Sequence, residues 1–351
     1  MAPRSRPIRN LEAPEYSRLE QIKILDYFRD LKADLIRNFL SDRNLRRSGN
    51  KSQLLIQISE NIDAGQLQYK DLVNFLDTLI PWGKQHVFLY NGPEQEVIQW
   101  RLVEHSRQIL EQNGNLHILN AKLPLILPQS LTLSSIEHVP NRSFKILAVE
   151  GRNNWERCQE HDDSFDDDGV HVERHAYRNQ VLRGIMIFNW NLVSNQARLQ
   201  ISQLPSNGSY ERAERTFQSL VQPWFPFNLF QKLDLRRPIT RLTELEDLGT
   251  PEARSHGFSL KTPGGRNITA ASPTSHDSVH GEPNLDRALR TLRPNSIGHL
   301  GNFYWLPTPQ NNLNDEIHTI IVGNKGRINF PTPNPQEDFE FVLSRVRTLC
   351  N

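Results

Sequence analysis

Trp82-Gly83-Lys84-Gln85-His86-Val87-Phe88-Leu89-Tyr90-Asn91-Gly92-Pro93 marks the point at which the chain changes texture. The run from Val87 to Tyr90 is apolar and half aromatic, and Asn-Gly-Pro stops it, so it reads as a strand ended by a turn. Residues 94–112 then read as helix, with Val97, Trp100, Leu102, Ile109 and Leu110 as its apolar positions. Further strands are expected at 116–119, 130–138, 144–149, 169–175, 182–189 and 197–204. A helix is expected over 209–221, broken by Pro223 and Pro226, and 229–245 reads as largely helical despite Pro238. Strands and helices that do not strictly alternate point to an α+β body around a mixed or antiparallel sheet.

Upstream of that point the pattern is helical. Leu19, Ile22, Leu25 and Phe28 recur at three-residue steps, and Leu31, Leu35, Phe39 and Leu40 extend them into an apolar stripe. Asn44 is placed to end a helix, because Asn tolerates the left-handed conformation. Ser48-Gly49-Asn50 reads as a turn with a cap for a second helix, whose stripe is Leu54, Leu55, Ile58 and Ile62. A third helix runs from about Tyr69 to Leu79. These readings divide the chain into a disordered Pro- and Arg-rich arm at 1–14, a helical domain at 15–80 and an α+β domain at 81–248. A Gly-, Ser-, Thr-, Pro- and His-rich linker or loop follows at 249–283. A C-terminal segment at 284–351 packs on the preceding sheet, with a helix at 285–292, a hairpin pairing 317–322 with 327–330, and a closing helix at 337–349. No internal repeat is visible in the sequence.

Composition narrows the classes of function. The chain has 351 residues, mean hydropathy −0.59, and two cysteines, Cys158 and Cys350, far apart. The longest apolar run, 123–127, is far below the roughly 18–20 residues of a membrane span. The N-terminal residues lack the apolar stretch of a secretory signal. Membrane proteins, secreted mini-domains and cysteine-based zinc fingers are therefore not expected, and an intracellular setting is. Net charge is only +1, yet residues 1–55 hold twelve Lys and Arg against seven Asp and Glu, a net of +5 that leaves −4 for the remainder. That asymmetry suits a polyanion-binding module on a near-neutral body.

The segment from Leu31 to Ile58 carries the most specific signal. Its core, Leu40-Ser41-Asp42-Arg43-Asn44-Leu45-Arg46-Arg47-Ser48-Gly49-Asn50-Lys51-Ser52-Gln53-Leu54, resembles the SAP family of DNA-binding domains over residues 27–62. Leu35, Leu45, Gly49, Lys51, Leu54 and Ile58 occupy the family's pattern positions, and Asn44 stands where a glycine is usual. The resemblance implies a two-helix hairpin that binds DNA with little base readout. The physical chemistry agrees. A helix N-terminus attracts phosphate, and Arg43, Arg46, Arg47 and Lys51 would add cations to the same place, with Ser48, Gly49 and Asn50 forming the turn. Four neutralised phosphates would give a salt slope of about −3 to −4. The rest of the chain also resembles the CENP-N family of kinetochore proteins, in layout alone. The competing reading of the hairpin is a protein-binding element with a solvated basic face.

Other clusters carry weaker signals. Lys84, among the aromatics at 82–90, and Arg236 and Arg237, in the arginine-rich run 233–241, are further phosphate-contact candidates. Glu160–Gly169 is acidic but lacks the spacing and closing Glu of a calcium loop. His171, Glu173 and His175 would share one face of a strand beside it and are the metal-ligand candidates; His276 and His280 share the spacing but fall in the expected linker. There is no Glu-x-Lys, no phosphate-binding Gly-x-x-x-x-Gly-Lys-Ser/Thr and no His-Glu-x-x-His, so no nucleotide triphosphate and no cofactor are expected. The leading expectation is a non-enzymatic protein that binds nucleic acid, double-stranded DNA with RNA as the other possibility. It would be one subunit of a larger assembly with a protein partner, in a nucleus, nucleoid or cytoplasm. The alternatives are a metal-dependent nuclease using scattered acids and histidines, and a protein scaffold.

Overall fold

A computed structural model describes residues 16–79, 83–206, 208–309, 311 and 313–351. The expected arm at 1–14 and Trp82 lie outside them. The chain forms two compact units: residues 1–79 with 124–126, and residues 80–123 with 127–351.

The first unit is helical. Ser17 caps α1 (Arg18–Asp30) in a reciprocal box with Glu20, and Leu31 ends it in extended backbone. α2 (Ala33–Ser41), α3 (Lys51–Asp63) and α4 (Tyr69–Leu79) follow. Ile24, Phe28, Ile36, Phe39, Leu40, Leu54, Ile58, Leu72 and Val73 are fully buried. The Phe39 ring sits 5.1 Å from Phe28 and 4.9 Å from Phe75. Burying each such side chain contributes about 1.5–3 kcal/mol. The expected stripe is corrected at its start: Leu19 is 54% and Ile22 49% exposed. Three-residue steps turn short of a full helical turn, so Leu19 and Phe28 lie about 180° apart on a helix of 3.6 residues per turn. The four-residue spacing of Ile24 and Phe28 is the one that faces the core.

The second unit is α+β. Its strands are β1 (Gln85–Asn91), β2 (Thr132–Val139), β3 (Ser143–Arg157), β4 (Asp163–Asp167), β5 (Val170–Arg174), β6 (Tyr177–Asn191), β7 (Gln196–Ser202), β8 (Gln231–Lys232), β9 (Ala253–Lys261), β10 (Asn267–Ala271), β11 (Ile297–Trp305), β12 (Ile317–Val322) and β13 (Arg327–Phe330). Its helices are α5 (Glu94–Trp100), α6 (Val103–Gln112), α7 (Tyr210–Val221), α8 (Arg236–Asp247), α9 (Pro283–Leu292) and α10 (Gln336–Cys350). The main sheet runs β10-β9-β11-β12-β13-β1-β7-β6-β3-β2, with β8 on β1; β4 and β5 make a separate hairpin. The pairings of named strands are antiparallel.

Central strand β1 feeds two cores. Side chains alternate across a strand, and Phe88 and Tyr90 join the cluster under α5, α6 and α7, whereas Val87 and Leu89 join the cluster under α8, α9 and α10. The order strand, helix, antiparallel strands, helix runs from β1 to α7, and from β8 to α10 it recurs with α9 interposed between β10 and β11. The repetition is one of topology, with no counterpart in the sequence.

Three local expectations are revised. The span 249–283, read as a linker, contains β9 and β10, and buries Ala253, Phe258 and Leu260. Its Ser, His and Gly residues are compatible with a strand that needs large apolar groups at only a few positions. Residues 116–118 form a 3-10 turn instead of a strand, and β11, which has no counterpart among the expected strands, pairs with both β9 and β12. Within 229–245 the helix starts only at Arg236. Pro238 is therefore in the first turn, where a backbone N–H has no intrahelical acceptor to lose. Among the described residues no helix is long and apolar enough to cross a membrane. Cys158 and Cys350 are both free.

Candidate nucleic-acid interface

The α2–α3 connection is built by local rules. Asn44 takes φ +57° after α2, and the Leu45 amide returns to the Leu40 carbonyl at 2.9 Å. Gly49 has φ +119°, and a Cβ there would fall 2.6 Å from Gln53 Oε1. Asn50 caps α3: its Oδ1 accepts from the Gln53 amide at 3.0 Å, and Gln53 Oε1 accepts from the Asn50 amide at 2.9 Å. Gln57 Nε2 donates to the Ser48 carbonyl at 2.8 Å, tying the turn to α3 from below. With Gln53 N occupied by the cap, the amides of Lys51 and Ser52 are the first-turn donors without an intrahelical acceptor.

Around this helix start the cations are not equivalent. Arg46, Arg47, Ser48, Gly49 and Asn50 are exposed, and Lys51 is half-buried. Arg46 Nε donates to Ser48 Oγ at 3.0 Å, and Arg47 Nη1 to Ser41 Oγ at 2.6 Å. Arg43 lies 4.1 Å over the Phe39 ring and donates to the Phe39 carbonyl at 3.3 Å, which holds it along α2. Among the described residues none of Arg43, Arg46, Arg47 and Lys51 forms an ion pair with a carboxylate. Arg37, which the sequence reading did not single out, does: it pairs with Asp34 at 2.6 Å while also donating to the Gly49 carbonyl at 3.2 Å. An open depression of about 400 Å³ beside the turn is lined by Arg46, Ser48, Gly49, Gln53, Ile56, Gln57 and Glu60. The Gln53 partnership was legible, since a cap followed three residues later by Gln or Glu is a known box.

The remaining candidates belong to the second unit. Lys84 is exposed just before β1. Arg236 pairs with Asp234, whose carboxyl is held below its usual range chiefly by that guanidinium. Arg237 donates to the carbonyl of Asn351, and Arg241 pairs with Glu244 at 2.8 Å. The arginine-rich run 233–241 thus has little unspent charge. His171 turns to Asp166 at 3.2 Å. His175 Nδ1 lies 2.7 Å from Arg157 Nη2, and its Nε2 is 3.7 Å from Glu173. His171 and Glu173 lie in β5 but His175 falls just past its end, so the expected shared strand face does not take in all three, and they form no cluster of metal-ligand atoms among the described residues. The acidic stretch supplies β4, and Asp168 and Gly169, both at positive φ, turn it into β5.

No protein-family model matches this chain, and comparison with curated proteins finds no match.

Proposed function

We propose that the protein binds the phosphate backbone of double-stranded DNA through the α2–α3 hairpin, without catalysis, as one part of a larger assembly working where DNA is kept. What supports this reading is the set of exposed Arg46 and Arg47 and half-buried Lys51, lacking carboxylate partners among the described residues, at the capped N-terminus of α3. The Lys51 and Ser52 amides point the same way as the helix dipole, toward an anion. The SAP-like pattern over 27–62 agrees with it. Such contacts position a protein on the duplex and carry no base information, so the expected binding is strong in low salt and weakly sequence-selective.

Fluorescence anisotropy with a labelled duplex at several salt concentrations tests the reading. Arg46→Ala/Arg47→Ala/Lys51→Ala should weaken binding and lower the salt slope by about 2.7, three phosphates at roughly 0.9 each. Duplex RNA and single strands run in parallel decide between nucleic acids. Unchanged binding by the triple variant, with its fold intact by circular dichroism, would remove the hairpin from the interface.

A further inference from the structure

Among the described residues one group of His, Cys, Asp and Glu side chains brings three metal-ligand atoms within 4.8 Å of one another: Asp247, His280 and Asp286. They come from separate places. Asp247 ends α8, His280 lies in the chain leading to α9, and Asp286 is in the first turn of α9. In the sequence the surroundings of His280 read as linker.

The geometry is that of neighbouring ligands on one ion. His280 Nδ1 is 3.1 Å from Asp286 Oδ1 and 3.3 Å from Asp247 Oδ1. Donors held about 2.0–2.2 Å from a metal lie about 2.8–3.6 Å apart at octahedral or tetrahedral angles. One ring nitrogen carries at most one hydrogen, so a hydrogen bond from Nδ1 serves one carboxylate and leaves the second facing it. An ion between the three serves both.

Two further observations come from groups around the trio. The His280 side chain is 10% exposed, and its Nε2 is buried without a hydrogen-bond partner, 3.9 Å from Glu246 Oε2. A carboxylate behind the far nitrogen is what orients a metal-bound imidazole. Arg293 is 4% exposed and gives Nη1 to Asp247 Oδ2, yet its Nε and Nη2 are buried with no acceptor. Buried donors are rarely left unmatched, and an ordered water held at the site, not itself on the ion, is an acceptor of the right kind. Arg290 Nε, 3.5 Å from Asp247 Oδ1, completes the charged surroundings.

We propose that Asp247, His280 and Asp286 form a binding site for a divalent transition-metal cation. One imidazole with two carboxylates suits zinc, manganese or iron(II); calcium and magnesium favour oxygen-only shells. The ion clips the end of α8 to the start of α9. It enters past Asp286, whose side chain is 20% exposed. Nothing in this site depends on the hairpin or on DNA.

The full chain, stripped with chelator and dialysed into metal-free buffer, is titrated with zinc chloride and separately with manganese chloride by calorimetry, with thermal unfolding in parallel. One ion per chain is expected, with a rise in melting temperature. Asp286→Asn should weaken binding by at least about 100-fold, beyond the 10- to 100-fold cost of an outer-shell change, and His280→Gln should do the same. His171→Ala/His175→Ala should bind as the wild type does. If His280→Gln fails to fold, Asp286→Asn gives the same readout from a partly exposed position. Absence of stoichiometric binding in the wild type overturns the proposal. So does an affinity that Asp286→Asn leaves unchanged, or one that only the His171/His175 variant abolishes.

Discussion

Asn50 and Gln53 cap each other at the start of α3, each side chain accepting from the other's backbone amide at 3.0 and 2.9 Å. This exchange fixes where the helix begins and therefore which amides face outward. Asn50→Ala should cost about 1 kcal/mol, within the usual 0.5–2 for a lost cap. It should also weaken duplex binding while leaving the salt slope nearly unchanged, because no cation is removed. Urea unfolding and anisotropy on the same variant measure the two effects.

Gly49 tests the turn itself. Its φ of +119° is one that L side chains rarely adopt, and the added methyl would meet Gln53 Oε1 at 2.6 Å. Gly49→Ala should destabilise by about 1–3 kcal/mol, the range for such backbone strain. A variant with unaltered unfolding would mean that the turn relaxes without loss.

The cations should separate by role. Arg46→Ala should lower the salt slope by about 0.9. Arg43→Ala should lower it by less and instead cost up to about 1 kcal/mol of stability, since Arg43 rests on the Phe39 ring. Arg236→Ala should leave the slope alone, because Asp234 already neutralises that charge. Equal slopes for Arg43→Ala and Arg46→Ala would contradict the assignment.

Stability should fall with acidification below neutrality. His86 lies against the Tyr210 ring at 3.6 Å, and its pKa is lowered to about 3, mainly by burial and then by Arg327. The unfolded chain therefore takes up a proton as pH drops below about 6.5, whereas the folded one does not until about 3. Stability is complete above that window and decreases through it, by at most about 2 kcal/mol from this group between pH 7 and pH 5. His138 and His318 are lowered too, chiefly by burial, and add in the same direction. Denaturant midpoints at both pH values check this, and His86→Phe should flatten the dependence.

The parts of the molecule legible in advance are those governed by near neighbours along the chain. Asn44 and Gly49 at positive φ, the Asn50 cap and the hairpin from β12 to β13 each follow from residue chemistry within a few positions. The strand β1 was legible as a strand, but that its two faces feed different cores was not, because an apolar run has no preferred side. β9 escaped notice because Ser255, His256 and Gly257 sit within it.

Sequence alone settled the helical N-terminal region, the α+β body and the basic turn, since helix periodicity, strand alternation and capping act over three or four residues. Tertiary structure decided which charges are spent and which groups meet. Asp247 reaches His280 and Asp286 only because α8 and α9 pack their apolar faces onto one core. Packing of that kind depends on burying surface from distant segments, and no local pattern records it.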